Sequence, residues 1–168
     1  MPFDFSGKTA VVTGGANGIG LAIARVLAAG GAQVWIFDLE KEKPAEAGAS
    51  FGAQGCIVDV TNRASLDAAF IRSGAPDIVI ANAGIGGEAE LTETVDEMWD
   101  RTIAVNLTGV FQTIRAAVAL MKPRRRGAIV ITASTNSYDG EARLTAYNAS
   151  KAGSVSYTHL TLPTILRV

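Results

Sequence analysis

The glycine-rich segment TGGANGIG, residues 13–20, constrains the fold of this chain more than any other feature of its sequence. It lies between a short apolar run and a segment with helical periodicity, so it predicts a strand, a tight turn and a helix in succession. Glycines let the backbone approach a pyrophosphate closely, and the helix amino terminus offers it free N–H groups. The alternative is an ordinary tight turn. The candidate cofactor-binding residues of this segment are Gly14, Asn17, Gly18, Ile19 and Gly20.

Short apolar runs alternate with helical patterns along the rest of the chain. The runs begin with KTAVVTG and AQVWIFD and continue through GCIVDV, DIVIANAG and GAIVITAS. Parallel strands need helical crossovers, and sheets covered on both faces consist of continuously apolar strands. The sequence therefore predicts an α/β fold with a doubly wound, Rossmann-like parallel sheet. With 168 residues the chain is long enough for one such domain and too short for two.

Two helical segments are clearly defined by the spacing of apolar residues. In the first, one apolar face is formed by Ile19, Ala22, Ile23, Val26 and Leu27, and a Gly-Gly pair ends the helix. The second is predicted to run as one long helix from Val95 to Met121 and to stop at Pro123. Its apolar faces are assigned to the core and in part to an oligomer surface. The basic segment that follows, MKPRRRG, is interpreted as a solvated connector.

The composition excludes several classes of function. The net charge is −1, so the chain encodes no strong attraction to nucleic acid or to an anionic membrane. The amino terminus lacks the features of a secretory signal, and no run approaches the roughly 20 apolar residues of a membrane helix. The only cysteine, Cys56, has no partner for an internal disulfide and is expected to be a buried thiol in a strand. A cytoplasmic location is the expectation.

Asp38 ends the second apolar run and indicates which dinucleotide is preferred. A carboxylate at this place can accept hydrogen bonds from the adenosine ribose and would repel a 2′-phosphate. Position 17 is Asn and position 39 is Leu, so no nearby cation is offered to that phosphate. NAD is therefore favoured over NADP. The alternative for Asp38 is a simple strand-to-helix cap.

Polar groups also follow the third and fourth apolar runs. Ligands of open parallel sheets bind outside the carboxyl ends of the strands, so residues at these ends are candidates for nucleotide contact. The alternative is turn chemistry, because Asp, Asn and Gly are the usual residues of turns. The candidates are Asp59, Val60, Asn82, Ala83 and Gly84.

A second group of candidates carries proton-transfer chemistry. Tyr147 and Lys151 lie four residues apart, hence on one face of a helix, and an ammonium group held close to a phenol favours the phenolate. Ser134, at the end of GAIVITAS, can hold a substrate oxygen; Ser137 is a competitor. Asn106, inside the long helix, is explained either by a functional role or as a buried hydrogen-bonded Asn.

These motifs, in this order and spacing, resemble the classical short-chain dehydrogenase/reductase family from Phe5 to about Gly153. The resemblance rests on TGGANGIG, Asp38, DV at 59–60, NAG at 82–84, VNLTG at 105–109, Ser134 and YNASK at 147–151. It implies a catalytic tetrad in which Tyr147 is the general acid/base and Ser134 polarises the substrate oxygen. Lys151 would hold the nicotinamide ribose, and Asn106 would support a water relay. It also implies a secondary alcohol or ketone as substrate and a homodimer or homotetramer.

The carboxyl-terminal segment departs from that family. Residues 1–153 are interpreted as an incomplete dinucleotide-binding domain that lacks the C-terminal strands and helices of the complete fold. Residues 154–168 are interpreted as a non-native tail without helical pattern, because VSYTHLTLPT resembles a translated sequencing adapter; a divergent native tail is the alternative. The sole histidine, His159, lies there and is given no role. Because the strand that would pair beside GAIVITAS is missing, this apolar strand is expected to be an exposed edge. The chain is expected to be poorly soluble or only partly folded, with little or no turnover.

The sequence leaves three functional hypotheses. The first is a truncated oxidoreductase whose parent enzyme, the full-length protein that contains residues 1–153, transfers a hydride between NAD and an alcohol or ketone. The second is an NADPH-dependent carbonyl reductase of the 3-oxoacyl type with the same fold. The third is a dinucleotide-binding module without catalysis. No metal site is expected, and the substrate is not encoded.

Overall fold

A five-stranded parallel sheet forms the centre of the computed structural model, which describes residues 3–160. The strand order is β3-β2-β1-β4-β5, and every adjacent pair in this order is parallel. This arrangement confirms the predicted doubly wound α/β fold. The strands are β1 (Thr9–Thr13), β2 (Gln33–Asp38), β3 (Gln54–Ile57), β4 (Ile78–Ala81) and β5 (Ala128–Ile131).

Helices connect the strands and cover the sheet. Single 3₁₀ turns occupy Glu40–Glu42, Leu91–Glu93, Lys122–Arg124 and Thr135–Ser137, and a π-helical turn occupies Ala104–Gly109. The α-helices are α1 (Gly18–Ala29), α2 (Pro44–Ala49), α3 (Arg63–Ser73), α4 (Asp96–Ile103), α5 (Val110–Met121) and α6 (Thr145–Val155).

Both faces of the sheet are packed, because side chains of successive strand residues point to opposite sides. On β1, Val11 belongs to a core layer with Phe70 of α3 and Met121 of α5. Its neighbours Ala10 and Val12 belong to the opposite layer, which includes Ala24 and Leu27 of α1. The predicted buried thiol is also confirmed, since Cys56 on β3 is 5% exposed in the first layer.

The order of the strands reverses at β1, which pairs with β2 on one side and with β4 on the other. In open α/β sheets the crevice for a ligand lies at such a switch point, outside the carboxyl ends of the strands. The ends of β1, β2 and β4 therefore define where a ligand of this fold is expected.

The long helix differs from its prediction. The sequence predicted one regular helix over Val95 to Met121, whereas α4 and α5 are separated by the π-helical turn Ala104–Gly109. The combined segment Asp96–Arg124 is long and apolar enough to cross a membrane by those two criteria. A core helix of a globular protein meets the same criteria, and here Ala117 and Met121 are fully buried against the sheet.

The helix that carries Tyr147 also extends further than its sequence pattern predicts. No helical pattern was expected after Gly153, yet α6 continues to Val155 and a 3₁₀ helix covers Ser156–Leu160. Hydroxyl groups bond to carbonyls of the preceding turn, as Ser154 Oγ does to Lys151 O at 3.0 Å and Thr158 Oγ1 does to Val155 O at 2.8 Å. These local bonds satisfy the hydroxyl groups within a helical turn that an apolar period does not reveal. The rest of the proposed tail, residues 161–168, lies outside the described residues.

Two arginines of the basic connector are bound to the sheet, which corrects its interpretation as merely solvated. Asp77, only 9% exposed, precedes β4 at the amino end of the sheet. It contacts Arg124 at 3.4 Å and Arg126 at 3.0 Å and accepts a 3.0 Å bond from Thr9 N. Burial raises the pKa of the Asp77 carboxyl, but its backbone bond and the two guanidinium groups outweigh this and leave the pKa lowered. This cluster lies opposite the ligand end of the strands.

Candidate active site

A cleft of about 760 Å³ lies along the carboxyl ends of the strands. It is lined by residues from both sequence motifs, so the phosphate-binding turn and the Tyr147/Lys151 pair face the same space. Gly18, Asn106 and Ser134 are not among its lining residues. The predicted residues that do line it are Gly14, Asn17, Ile19, Gly20, Asp38, Asp59, Val60, Asn82, Ala83, Gly84, Tyr147 and Lys151.

The glycine turn has a conformation and a closeness of packing that require glycine. Gly14 and Gly18 have φ angles of 62° and 51°, which residues with a side chain rarely adopt. A Cβ on Gly20 would collide with the Gly14 carbonyl oxygen and would lie 2.6 Å from Asn82 Nδ2. Since α1 begins at Gly18, the free N–H groups of its first turn lie beside the cleft. This cradle fits the pyrophosphate of a dinucleotide.

Asp38 organises the glycine turn from the end of β2. Its Oδ2 atom accepts a 2.9 Å hydrogen bond from Ala16 N, and Oδ1 accepts one of 2.9 Å from Leu39 N. The carboxylate therefore has a structural role like that of a cap. It also lines the cleft, so the remaining lone pairs of its oxygens are available to a ribose.

Sequence reasoning missed three charged residues of the cleft, which are Lys41, Glu42 and Arg101. Lys41 and Glu42 follow Asp38 in a 3₁₀ turn and both line the cleft. Glu42 Oε2 accepts a 2.8 Å hydrogen bond from Asn17 Nδ2, and Glu42 Oε1 lies 3.6 Å from Lys41 Nζ. The expectation that no cation is near was therefore wrong, because it considered only positions 17 and 39. Lys41 and Glu42 lie three and four positions after Asp38 in an irregular turn, where no periodic pattern indicates which side chains face the cleft.

Asn82 ties the ends of three strands together. Its Nδ2 atom donates to Thr13 O at 3.2 Å and to Gly14 O at 3.0 Å, while its Oδ1 atom accepts a 3.1 Å bond from Thr132 Oγ1. These bonds hold the glycine turn of β1 against β4 and the residue that follows β5. Asn82 thus positions the cleft wall that continues into Ala83 and Gly84.

Asp59 and Val60 follow β3 and line the cleft. Asp59 Oδ1 accepts bonds from Thr61 N at 2.9 Å and from Thr61 Oγ1 at 2.7 Å. Val60 is 7% exposed and belongs to the core layer beneath the cleft. The turn chemistry considered from the sequence is therefore present, together with a place in the cleft lining.

Lys151 is a buried cation. It is 4% exposed, and its Nζ atom donates a 2.8 Å hydrogen bond to Thr132 O and lies 5.7 Å from the centroid of the Tyr147 ring. The ion pairs found among residues 3–160 do not include Lys151. Burial lowers the pKa of the Lys151 ammonium, because desolvation disfavours the charged form.

Asn106 is fully buried in the π-helical turn. Its Oδ1 atom accepts a bond from Ile85 N and its Nδ2 atom donates to Ile85 O, both at 2.8 Å. Nδ2 also donates to Ser150 Oγ at 3.1 Å, which connects the turn to α6. The side chain therefore fixes the loop after β4 against the helix of Tyr147 and Lys151.

Ser134 lies after β5 and caps the 3₁₀ turn Thr135–Ser137. Its hydroxyl donates to Asn136 Oδ1 at 3.0 Å and accepts from Asn136 N at 3.2 Å. The hydroxyl of its competitor Ser137 accepts a 3.4 Å bond from Ser134 N. In this conformation both hydroxyls are engaged within the turn, so Ser134 would have to exchange its Asn136 acceptor for a substrate oxygen.

The sheet topology and the glycine cradle at the switch point define a dinucleotide-binding α/β protein of the doubly wound class. The profile of the family described as short chain dehydrogenase matches residues 8–162. The chain belongs to the short-chain dehydrogenase family, whose members are NAD(P)-dependent oxidoreductases.

Individual relatives support the same assignment. D-beta-hydroxybutyrate dehydrogenase of Cupriavidus necator is 38% identical over 93% of this chain and 64% of its own length. A granaticin polyketide synthase putative ketoacyl reductase of Streptomyces violaceoruber is 38% identical over 89% of this chain and 59% of its own length. The crystal structure of a putative gluconate dehydrogenase from Agrobacterium tumefaciens superposes with a TM-score of 0.89 at 33% identity, over 94% of this chain and 66% of that one. The chain thus spans about three fifths of the length of the curated relatives it matches.

Proposed function

We propose that the parent enzyme transfers a hydride between NAD and a secondary alcohol or ketone. The observation that carries this proposal is the convergence of two sites on one cleft: the glycine turn with Asp38 at one end, and Tyr147 with Lys151 at the other. A bound dinucleotide would supply or accept the hydride. The phenol of Tyr147 lies in the same cleft, so the substrate oxygen can lose or gain a proton while the hydride is transferred.

Each polar residue of the second site has a proposed part in this chemistry. Tyr147 exchanges a proton with the substrate oxygen, and Ser134 donates a hydrogen bond to that oxygen. Lys151, a cation that burial leaves poorly solvated, lies beside the Tyr147 ring and binds a ribose hydroxyl. Asn106 supports the loop and helix that border the site, and a water relay to Lys151 is the further role proposed for it.

Replacing Tyr147 with Phe in the parent enzyme tests this function. We expect turnover to fall by about a hundredfold or more, because a positioned acid/base group commonly contributes that factor. Binding of the dinucleotide should change little, since the ring is retained. Unchanged turnover would remove Tyr147 from the mechanism. The third hypothesis, a dinucleotide-binding module without catalysis, instead predicts that the unmodified parent protein binds the dinucleotide and shows no turnover.

NAD is the proposed cofactor because the Asp38 carboxylate lines the cleft beside the glycine turn. We place the adenosine of the dinucleotide at this end, which is called the adenosine end of the cleft. Lys41 in the same lining is the observation that favours the alternative, an NADPH-dependent carbonyl reductase. Similarity to a putative ketoacyl reductase agrees with that alternative. Comparing the binding of NADH and NADPH by the parent enzyme decides between them, and a clear preference for NADPH would refute the role proposed for Asp38.

The 168-residue chain itself is proposed to be an inactive fragment. Residues 1–153 would be the incomplete native domain and residues 154–168 a non-native tail; sequencing the source DNA beyond the codon for Gly153 tests this. Recurrence of the THLTLPT codons in native genomic reads would refute it. The parent enzyme is proposed to be a cytoplasmic homodimer or homotetramer acting on a small molecule, and half-exposed Trp99 and Phe111 on α4 and α5 agree with an oligomer surface.

A further inference from the structure

The short turn after Asp38 directs two glutamates to different parts of the surface. Backbone bonds from Glu42 N to Leu39 O and from Lys43 N to Glu40 O, both 3.0 Å, define this acidic turn, Glu40–Glu42. Glu42 lines the cleft of the candidate active site. Glu40 does not, and it lines a separate concavity beside α2 and α3 instead. The two carboxylates are therefore a natural pair for comparison.

Glu42 is bound to the phosphate-binding turn. Its carboxylate accepts the 2.8 Å bond from Asn17 Nδ2, so the acidic turn and the residue before α1 are connected across the adenosine end of the cleft. An amide that donates through Nδ2 to a carboxylate presents its Oδ1 atom elsewhere as an acceptor. Glu42 thus fixes the orientation of Asn17.

The groups at this end of the cleft are mainly hydrogen-bond acceptors. Asp38, Glu42 and the Oδ1 atom of Asn17 suit the donating hydroxyls of a ribose and disfavour an additional phosphate. Lys41 is the cation among them, and its ammonium group lies 3.6 Å from Glu42 Oε1. A carboxylate at this distance offsets the charge that a 2′-phosphate would otherwise meet.

We propose that Glu42 is a second determinant of cofactor specificity, which acts beside Asp38. Its charge repels a 2′-phosphate directly, and its contact with Lys41 keeps that ammonium group from binding the phosphate. The inference rests on the proposed dinucleotide-binding function and adds a residue to its specificity. It explains how a cleft that contains a lysine can still prefer NAD.

The test uses two ligands that differ only in the 2′-phosphate, ADP-ribose and 2′-phospho-ADP-ribose, with affinities measured calorimetrically on the parent enzyme. Glu42→Gln removes the charge and keeps an acceptor for Asn17. We expect it to lower the ratio of the Kd for the phosphorylated ligand to the Kd for ADP-ribose by roughly twofold to fivefold, as for one partly solvated charge contact. Glu40→Gln, with the same change of net charge, should leave the ratio unchanged.

A ratio that is equal in Glu42→Gln and Glu40→Gln would overturn the proposal. Adding Lys41→Gln to the Glu42→Gln variant should restore most of the lowered ratio toward its unmodified value. A ratio that stays as low as in Glu42→Gln alone would overturn the part assigned to Lys41. If Glu42→Gln does not unfold cooperatively, Glu42→Ser must shift the ratio in the same direction. The ratio of the unmodified enzyme tests the NAD preference separately: a value below one refutes that preference, while the change caused by Glu42→Gln still decides the role of Glu42.

Discussion

At the scale of single residues, the candidate site contains groups that cost stability. Lys151 is buried with a carbonyl oxygen as its hydrogen-bond partner, and no carboxylate pairs with it among residues 3–160. Burying an ammonium group without a counter-charge is unfavourable, which the lowered pKa of Lys151 expresses. Such a group is retained for function more readily than for folding.

Replacing Lys151 with Met should change how stability depends on pH. Because the pKa of Lys151 is lowered from 10.5, the folded chain binds fewer protons than the unfolded chain between the lowered value and 10.5. The stability of the unmodified enzyme relative to Lys151→Met should therefore rise with pH in that window, by at most about 1.4 kcal/mol per pH unit. Urea unfolding of both proteins at several pH values measures this, and parallel profiles would contradict it.

Gly20 is expected to tolerate no side chain. In Gly20→Ala the new Cβ would collide with the backbone of Gly14. We expect the free energy of unfolding to fall by about 1 to 3 kcal/mol and the affinity for ADP-ribose to fall as well. Gly86, which also lines the cleft, is the matched control because a Cβ there meets no atom within 4 Å. Thermal unfolding and calorimetry compare the two variants. Equal melting temperatures of Gly20→Ala and Gly86→Ala would show that the turn adapts.

At the scale of elements, the sequence predicted the strands, their parallel direction and the polar residues at the strand ends that meet at the cleft. Continuous apolar runs and glycine turns carry that information locally. The π-helical turn was not predictable in the same way, because it occupies a single turn and leaves the spacing of apolar residues within α4 and within α5 unchanged. The engagement of Ser134 by Asn136 and the contact of Glu42 with Asn17 depend on side-chain conformations, which residue spacing does not determine.

The π-helical turn should depend on Asn106. Replacing Asn106 with Leu keeps a similar volume but leaves the N–H and carbonyl groups of Ile85 without the partners they have here. We expect the free energy of unfolding to fall by about 2 to 4 kcal/mol, since each buried unsatisfied group costs about 1 to 3 kcal/mol. The control is Asn62→Ala, since the Asn62 side chain caps α3 by accepting a hydrogen bond from Ser65 N. This variant should lose only about 1 kcal/mol of stability. Chemical denaturation ranks the variants, and a smaller loss for Asn106→Leu would contradict the proposed support of the loop.

At the scale of the whole molecule, the two edges of the sheet differ. Helix α2 packs on β3 closely enough that a Cβ on Gly55 would lie 2.5 Å from the Ala45 Cα atom. At the other edge, no strand among residues 3–160 pairs with the far side of β5, and Val130 on β5 is 54% exposed. Exposed apolar edge strands promote pairing between chains. The predicted exposed edge strand is thus present in the structure, whereas the predicted poor solubility remains a prediction.

If β5 directs self-association, a charge on it should improve the solubility of the 168-residue chain. Val130→Lys places an ammonium group on the edge strand, and edge lysines are a common device against strand pairing. We expect a larger soluble fraction and a larger monomer peak in size-exclusion chromatography. Ile57→Lys on β3 is the matched control, because Ile57 is 62% exposed and β3 is the strand against which α2 packs, at Gly55. Equal improvement by both variants would indicate a general effect of charge, and no improvement by Val130→Lys would exclude β5 as the surface that associates.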